Sequence, residues 1–191
     1  MTRPASSITS RAAPGRNCGL ALLAAAAGLF GALVALPKPA AAAERVVPYA
    51  QTDELRPGTI VISARQRVLY LVLDNATAIR YPIAVPKNGK EWSGHAYVNG
   101  KYSNPDWAPP AIVKRDHPEL PDLIKGGAPN NPMGVAALTL DRDQIAIHGT
   151  TRSMRRSIGT AASYGCIRMY NEDVADLYSR VGVGTPVVMV R

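Results

Sequence analysis

Two apolar, β-branched runs, Thr59-Ile-Val-Ile-Ser63 and Val68-Leu-Tyr-Leu-Val-Leu73, are separated only by the polar Ala64-Arg-Gln-Arg67. Branched side chains suit a pleated surface, and two such runs so close together read as a β-hairpin. Turn signals bracket the pair, Pro57-Gly58 before it and Asp74-Asn75 after it. Thr77 to Val85 continues as a third strand, where Pro82 implies an edge or a bulge because proline donates nothing to a ladder.

From Pro86 to Pro132 the chain is rich in Gly, Pro, Asn and Trp, with little periodicity. So long an irregular stretch inside a domain is more often functional than accidental. Strand patterns return with Val135 to Leu140, a turn at Asp141-Arg-Asp143, and Gln144-Ile-Ala-Ile-His148, which delivers His148 to a strand end. Asn171 reads as a helix cap, with Glu172 and Asp173 suiting the positive end of the dipole. Val174, Leu177, Tyr178 and Val181 then share one helical face, Gly182 ends the helix, and Thr185 to Val190 is a closing strand. The expected fold is mainly β with one clear helix, an α+β domain of mixed β-sandwich or barrel-like type, without internal repeats.

Residues 1–43 read as a targeting segment outside the fold. Arg3, Arg11 and Arg16 precede an uncharged apolar run, Gly19 to Leu36, and Ala41-Ala42-Ala43 forms a small-residue cleavage site before Glu44. The run reaches the lower end of a membrane span, so an uncleaved anchor is the alternative, and the small-residue ending favours cleavage. Either way the remainder is exported, to the periplasm or cell wall. Residues 44–56 read as a linker and 57–191 as one domain with room for a core. Four of the 22 basic residues, Arg3, Arg11, Arg16 and Lys38, precede Glu44, so half of the formal net charge of +8 belongs to that segment. What is left is mildly basic and scattered, which suits carboxylate-bearing partners and gives no argument for nucleic acid.

Of the two cysteines, Cys18 lies within the leader, and Cys166 is alone in the domain. A lone thiol in an exported protein has no intramolecular disulfide partner. It sits in Ser163-Tyr164-Gly165-Cys166-Ile167-Arg168, downstream of Ile147-His148-Gly149-Thr150. A thiol of ordinary pKa is only a few per cent thiolate at neutral pH, and a neighbouring imidazole activates it by taking the proton. His148 is the candidate base, because an apolar strand delivers it and Gly149 lets the chain turn away. Gly165 leaves an approaching carbonyl unobstructed and frees nearby backbone N–H groups to converge on an oxyanion. Arg168 is placed to pair with a substrate carboxylate. His95 and His117 read as loop residues, so one Cys and three scattered His give no zinc spacing. Arg152, Arg155 and Arg156 read as a solvated loop, with a carboxylate-attracting rim as the alternative.

The His148-Gly149-Thr150 and Ser163 to Met169 segments resemble the signature of the YkuD-type L,D-transpeptidases. The resemblance extends to Tyr102–Pro110, to Asn131-Pro132-Met133-Gly134, and to the closing helix and strand, roughly Pro57 to Val190. It implies that Cys166 is the nucleophile and His148 the proton acceptor and donor, with a backbone carbonyl at Gly149 or Ser163 orienting the ring. It also implies peptidoglycan stem peptides as substrates: Cys166 attacks before the terminal D-alanine of a tetrapeptide, and an amine resolves the thioester. No metal or organic cofactor enters that chemistry. Resolution by water would make an L,D-carboxypeptidase, and a protein lysine as acceptor would attach a protein to the wall. A catalytically idle wall-binding module is the rival from another class, and the intact Cys166, His148, Gly165 and Arg168 argue against it. Tyr164 stands where many members carry histidine, a change that bears on an oxyanion donor, although a phenol also donates.

Overall fold

The β2–β3 hairpin expected from the opening runs forms with Ile60–Ser63 antiparallel to Val68–Val72, and all four residues of β2 are buried. The computed structural model describes residues 45–49, 55–74 and 76–191. The targeting segment read over residues 1–43 lies outside the described residues. The stretch read as a linker holds a strand, β1 (Val46–Pro48), antiparallel to β4 (Thr77–Pro86).

From β3 the sheet passes back through β2 to β10 (Pro186–Val190), then β5 (Gly94–Ser103), β6 (Ala136–Leu140), β7 (Ala146–His148) and β9 (Ile167–Met169). Because β9 also pairs with β4 and β4 with β3, the ladder closes on itself, which is the barrel-like outcome the strand pattern implied. A short β8 (Ala161–Ser163) adds parallel to the end of β4. Pro82 lies on a locally unpaired side of β4, the edge position expected of it, with no bulge in the β3–β4 register. Arg80 donates its N–H to Arg45, and two residues on, the Pro82 nitrogen faces the same side, past β1 and before the β9 pairing at Ile83 and Ala84. A residue without an N–H costs nothing in that gap.

The stretch read as irregular begins with a ten-residue strand, β5. Its period of two is present, with Ala96, Val98 and Gly100 buried and Tyr97 and Asn99 exposed. The inward residues are too small and mixed to announce it. The remainder, residues 104–134, carries a short helix α1 (Ala111–Asp116) with no buried residue. Trp107 and Ile124 bridge across this excursion. Buried Asn131 closes its base, donating to the carbonyls of Pro105 (2.9 Å), Lys125 (3.0 Å) and Ile124 (3.2 Å).

Helix α2 (Asn171–Arg180) turns Val174 and Leu177, both fully buried, against β6 and β7. Its N-cap is Tyr170, without a side-chain cap bond; Asn171 instead accepts the Thr150 N–H at 2.9 Å. That bond spends the amide on tying the helix to the strand end that carries His148. The core is continuous from Ile60, Leu69 and Tyr81 to Leu138, Ile167 and Leu177. Among the described residues no helix is long and apolar enough to cross a membrane.

Candidate active site

Strands β7 and β9 run parallel in the register Ile147↔Ile167 and His148↔Arg168. Successive side chains on a strand point to opposite faces. Ile147 and Ile167, both fully buried, therefore face the core. His148, Arg168 and Cys166, the residue leading into β9, share the other face. Two residues of apolar sequence in each strand thus fix three polar side chains side by side.

The turn ahead of Cys166 is tightly tied. Ser163 is buried, and its hydroxyl donates to the Cys166 carbonyl and accepts the Gly165 N–H at 3.2 Å. The buried indole of Trp92 donates to the Gly165 carbonyl at 3.0 Å. Gly165 sits at φ 137°, where side chains are strained, and a Cβ there would lie 2.5 Å from Ile145 Cδ1. The conformation therefore favours glycine, and a larger residue would also have to push the end of the Ile145 side chain aside. The Gly165 N–H is itself directed to Ser163, which leaves the other backbone N–H groups around Cys166 as the ones the glycine frees to converge on an oxyanion.

His148 is buried, 4% exposed, with Nδ1 2.8 Å from the Gly149 carbonyl. A carbonyl only accepts, so Nδ1 carries the proton and the neutral ring keeps Nε2 as its basic atom. Of the two carbonyls expected as the orienting group, that of Gly149 meets the ring, and that of Ser163 accepts the Lys87 N–H at 2.9 Å. A Cβ on Gly149 would press on Asn171 Oδ1 and come within 3.1 Å of the Met133 carbonyl, so a side chain there would disturb the Asn171–Thr150 bond. Burial lowers the His148 pKa to about 4, with Arg168 adding to the effect and the Gly149 and Pro132 carbonyls opposing it. Cys166 is half-buried, and burial pushes its thiol up, against the opposing pull of an Ala146 backbone hydrogen bond and Arg168. The thiol donates to the Gln144 carbonyl at 3.4 Å. Burial thus acts on both groups in the direction of the neutral form, whereas the motif suggests a thiolate–imidazolium pair.

Cys166, His148 and Arg168 line one cavity of about 620 Å³. The Arg168 guanidinium has no hydrogen bond or ion pair among the described residues, a half-buried cation facing open space. The excursion roofs this cavity with Trp107, Ile112, Val113, Leu120 and Ile124. Tyr164 also lines it, but its phenol donates to Asp116 at the end of α1 (3.0 Å). Lys87 Nζ lies 3.5 Å from the Tyr164 ring centroid, and the His117 ring meets it edge-on at 6.5 Å. Tyr164 thus ties the nucleophile turn to the end of α1. In the basic loop, Arg155 forks onto Glu172 at 2.7 and 2.9 Å and covers Tyr170, which ties the loop to α2. Among the described residues no three His, Cys, Asp or Glu side chains converge as a metal site.

Trp92, which the sequence offers with Tyr102 and Trp107 as either a groove floor or a loop anchor, anchors the nucleophile turn from 73 residues away. Sequence reading missed two contributors: Gln144 presents a carbonyl from a left-handed backbone at φ 58°, and Asp116 receives Tyr164. The Asp141-Arg-Asp turn hinted at the first; nothing local marks the second.

The family model described as the L,D-transpeptidase catalytic domain matches residues 57–189. A probable L,D-transpeptidase of Escherichia coli K12, YbiS, is 34% identical over 146 residues, covering 72% of this chain and 46% of that protein. A putative L,D-transpeptidase of Bacillus licheniformis, YkuD, is 32% identical and covers 97% of this chain and 94% of its own. The chain spans about half the length of the first of these. Among solved structures, an L,D-transpeptidase from Mycobacterium smegmatis superposes with a TM-score of 0.56 over 70% of this chain and 58% of that one, at 17% identity, a likeness of fold. With a match that runs from the β2–β3 hairpin to the closing strand and takes in the whole Cys166–His148 site, the chain belongs to the L,D-transpeptidase catalytic domain family.

Proposed function

We propose that this chain is an exported peptidoglycan L,D-transpeptidase in which Cys166 is the nucleophile and His148 the general base and acid. The observation that carries the reading is the β7–β9 register, which sets Cys166, His148 and Arg168 on one face at one cavity. As a tetrapeptide stem enters, Arg168 holds a substrate carboxylate and the apolar roof covers the donor. Cys166 Sγ attacks the carbonyl before the terminal D-alanine while Nε2 of His148 takes the thiol proton. A neutral resting pair suits this order, because charge then develops only when a carbonyl is present to accept the sulfur. Backbone N–H groups of the nucleophile turn, chiefly that of Cys166, receive the oxyanion. His148 hands its proton to the departing D-alanine amine, and then deprotonates the amine that resolves the thioester. Arg168 and His148 would be expected to survive in an idle wall-binding module only by chance, which favours the enzyme.

Incubation of the protein with a defined tetrapeptide muropeptide, followed by mass analysis, tests this. Release of D-alanine with a cross-linked dimer is the expected result. A trimmed monomer alone would make the enzyme an L,D-carboxypeptidase, transfer only to an added protein lysine would make it a wall-attachment enzyme, and absence of D-alanine release would contradict the reading.

A further inference from the structure

The peptide group between Gly165 and Cys166 carries two polar atoms, and one of them is held by a distant side chain. Its carbonyl accepts the Trp92 indole N–H at 3.0 Å, a buried bond. Its N–H, that of Cys166, donates to no group among the described residues. A peptide group is planar, and its trans form points C=O and N–H in opposite directions. No peptide bond among the described residues is cis. A bond that fixes the carbonyl therefore fixes the N–H as well. With the oxygen drawn to the indole, the Cys166 N–H is aimed away from Trp92. The following peptide is held in the same manner, because the Ser163 hydroxyl donates to the Cys166 carbonyl.

A buried indole needs an acceptor, and many carbonyls would serve. Trp92 takes its acceptor 73 residues along the chain, at the peptide beside the reacting sulfur. The indole is in turn held by Arg142, whose guanidinium lies 4.7 Å from the ring centroid. Arg142 also donates to the carbonyls of Ser93 (3.1 Å) and His95 (3.2 Å), just past Trp92 in the chain. It belongs to the turn between β6 and β7, in which the Gln144 carbonyl accepts the thiol at 3.4 Å. One guanidinium thus joins the indole that sets the peptide to the turn that receives the sulfur. A donor on an amide oxygen also polarises that amide, which strengthens its N–H as a donor.

We propose that Trp92 is a positioning residue for the oxyanion: its indole N–H, backed by Arg142, orients the Gly165–Cys166 peptide so that the Cys166 N–H meets the developing charge. This rests on the acyl-transfer reading of the same site. As Sγ adds to the substrate carbonyl, the C–S bond forms, the carbonyl π pair moves onto oxygen, and the thiol proton passes to His148 Nε2. The oxyanion accepts from the Cys166 N–H. On collapse the pair returns, the C–N bond breaks, and the D-alanine amine leaves with the proton from His148. Trp92 touches none of the reacting atoms, so its influence is confined to steps that place charge on that oxygen.

Replacing Trp92 by benzothienylalanine keeps the bicyclic shape and exchanges the N–H for sulfur, which separates the bond from the packing. Wild type and variant are mixed with a saturating tetrapeptide donor, and acylation of Cys166 is followed by intact mass. In parallel, iodoacetamide alkylates the same sulfur by displacement at a saturated carbon, a reaction without an oxyanion. Acylation should slow roughly five- to fiftyfold, short of the ~10²- to 10³-fold cost of deleting a hole donor, because the N–H itself is still present. Alkylation should match wild type. Arg142→Met should show the same split at roughly two- to fivefold, the scale of one cation–π contact. Equal slowing of both reactions would mean that Trp92 only places the sulfur, and unchanged acylation would mean that the peptide keeps its orientation without the indole. Either result would overturn the assignment while leaving the acyl-enzyme intact. A wild-type protein that forms no thioester would overturn the functional reading instead, and this inference with it.

Discussion

At Cys166 and His148 burial acts on both groups in the direction of neutrality, raising one pKa and lowering the other. The histidine has a measurable consequence for the fold. Its ring titrates near ~6.5 in an unfolded chain and at about 4 here. Between those values the unfolded state binds more protons than the folded state, so the stabilising contribution is complete above ~6.5 and is lost as pH falls toward 4. Urea unfolding at pH 7 and at pH 4.5 should therefore show a steeper loss for wild type than for His148→Gln, a difference of up to about 3 kcal/mol. Parallel losses would mean that the ring is not held neutral by its surroundings.

Among the elements, the excursion over residues 104–134 bears most on the donor. Its base is closed by Asn131 and by Asp106, which accepts from Lys125 and from the Gly126 N–H. Its helix α1 contributes nothing to the core and is tied down at its far end by the Tyr164–Asp116 bond. Tyr164→Phe removes that bond and keeps the ring. Acylation by a tetrapeptide donor should fall roughly two- to tenfold, the worth of one partly solvated hydrogen bond, while alkylation by iodoacetamide stays the same. A loss beyond about 10²-fold with an unchanged melting temperature would instead place the phenol at the oxyanion. The same element shows where sequence reading stops. The Asn131-Pro132-Met133-Gly134 turn is visible in the chain, but the partners it clamps are brought there by folding.

Across the whole molecule, legibility follows the range of the forces involved. The β2–β3 hairpin is plain because both strands are apolar on both faces. β5 is hidden because glycine and alanine carry its inward alternation, and β8 and β9, three residues each, exist only because β4 and β7 offer edges to pair with. The candidate site was legible as residue types at a spacing: His148, Gly149, Ser163, Gly165, Cys166 and Arg168 all fall in or beside the barrel's closing strands. What spacing could not give was the burial that favours the neutral forms, the partners of Trp92 and Gln144, and the bond from Tyr164 to Asp116, since each depends on burial or on distant chain. The account as a whole depends on a thioester at one atom. Rapid mixing with a tetrapeptide donor, intact-mass detection and peptide mapping measure it directly. A transient adduct of donor mass less D-alanine, confined to Cys166, lost in Cys166→Ser and slowed about 10²- to 10⁴-fold in His148→Ala, is the predicted result. An adduct elsewhere, or one that Cys166→Ser forms at the wild-type rate, would contradict it.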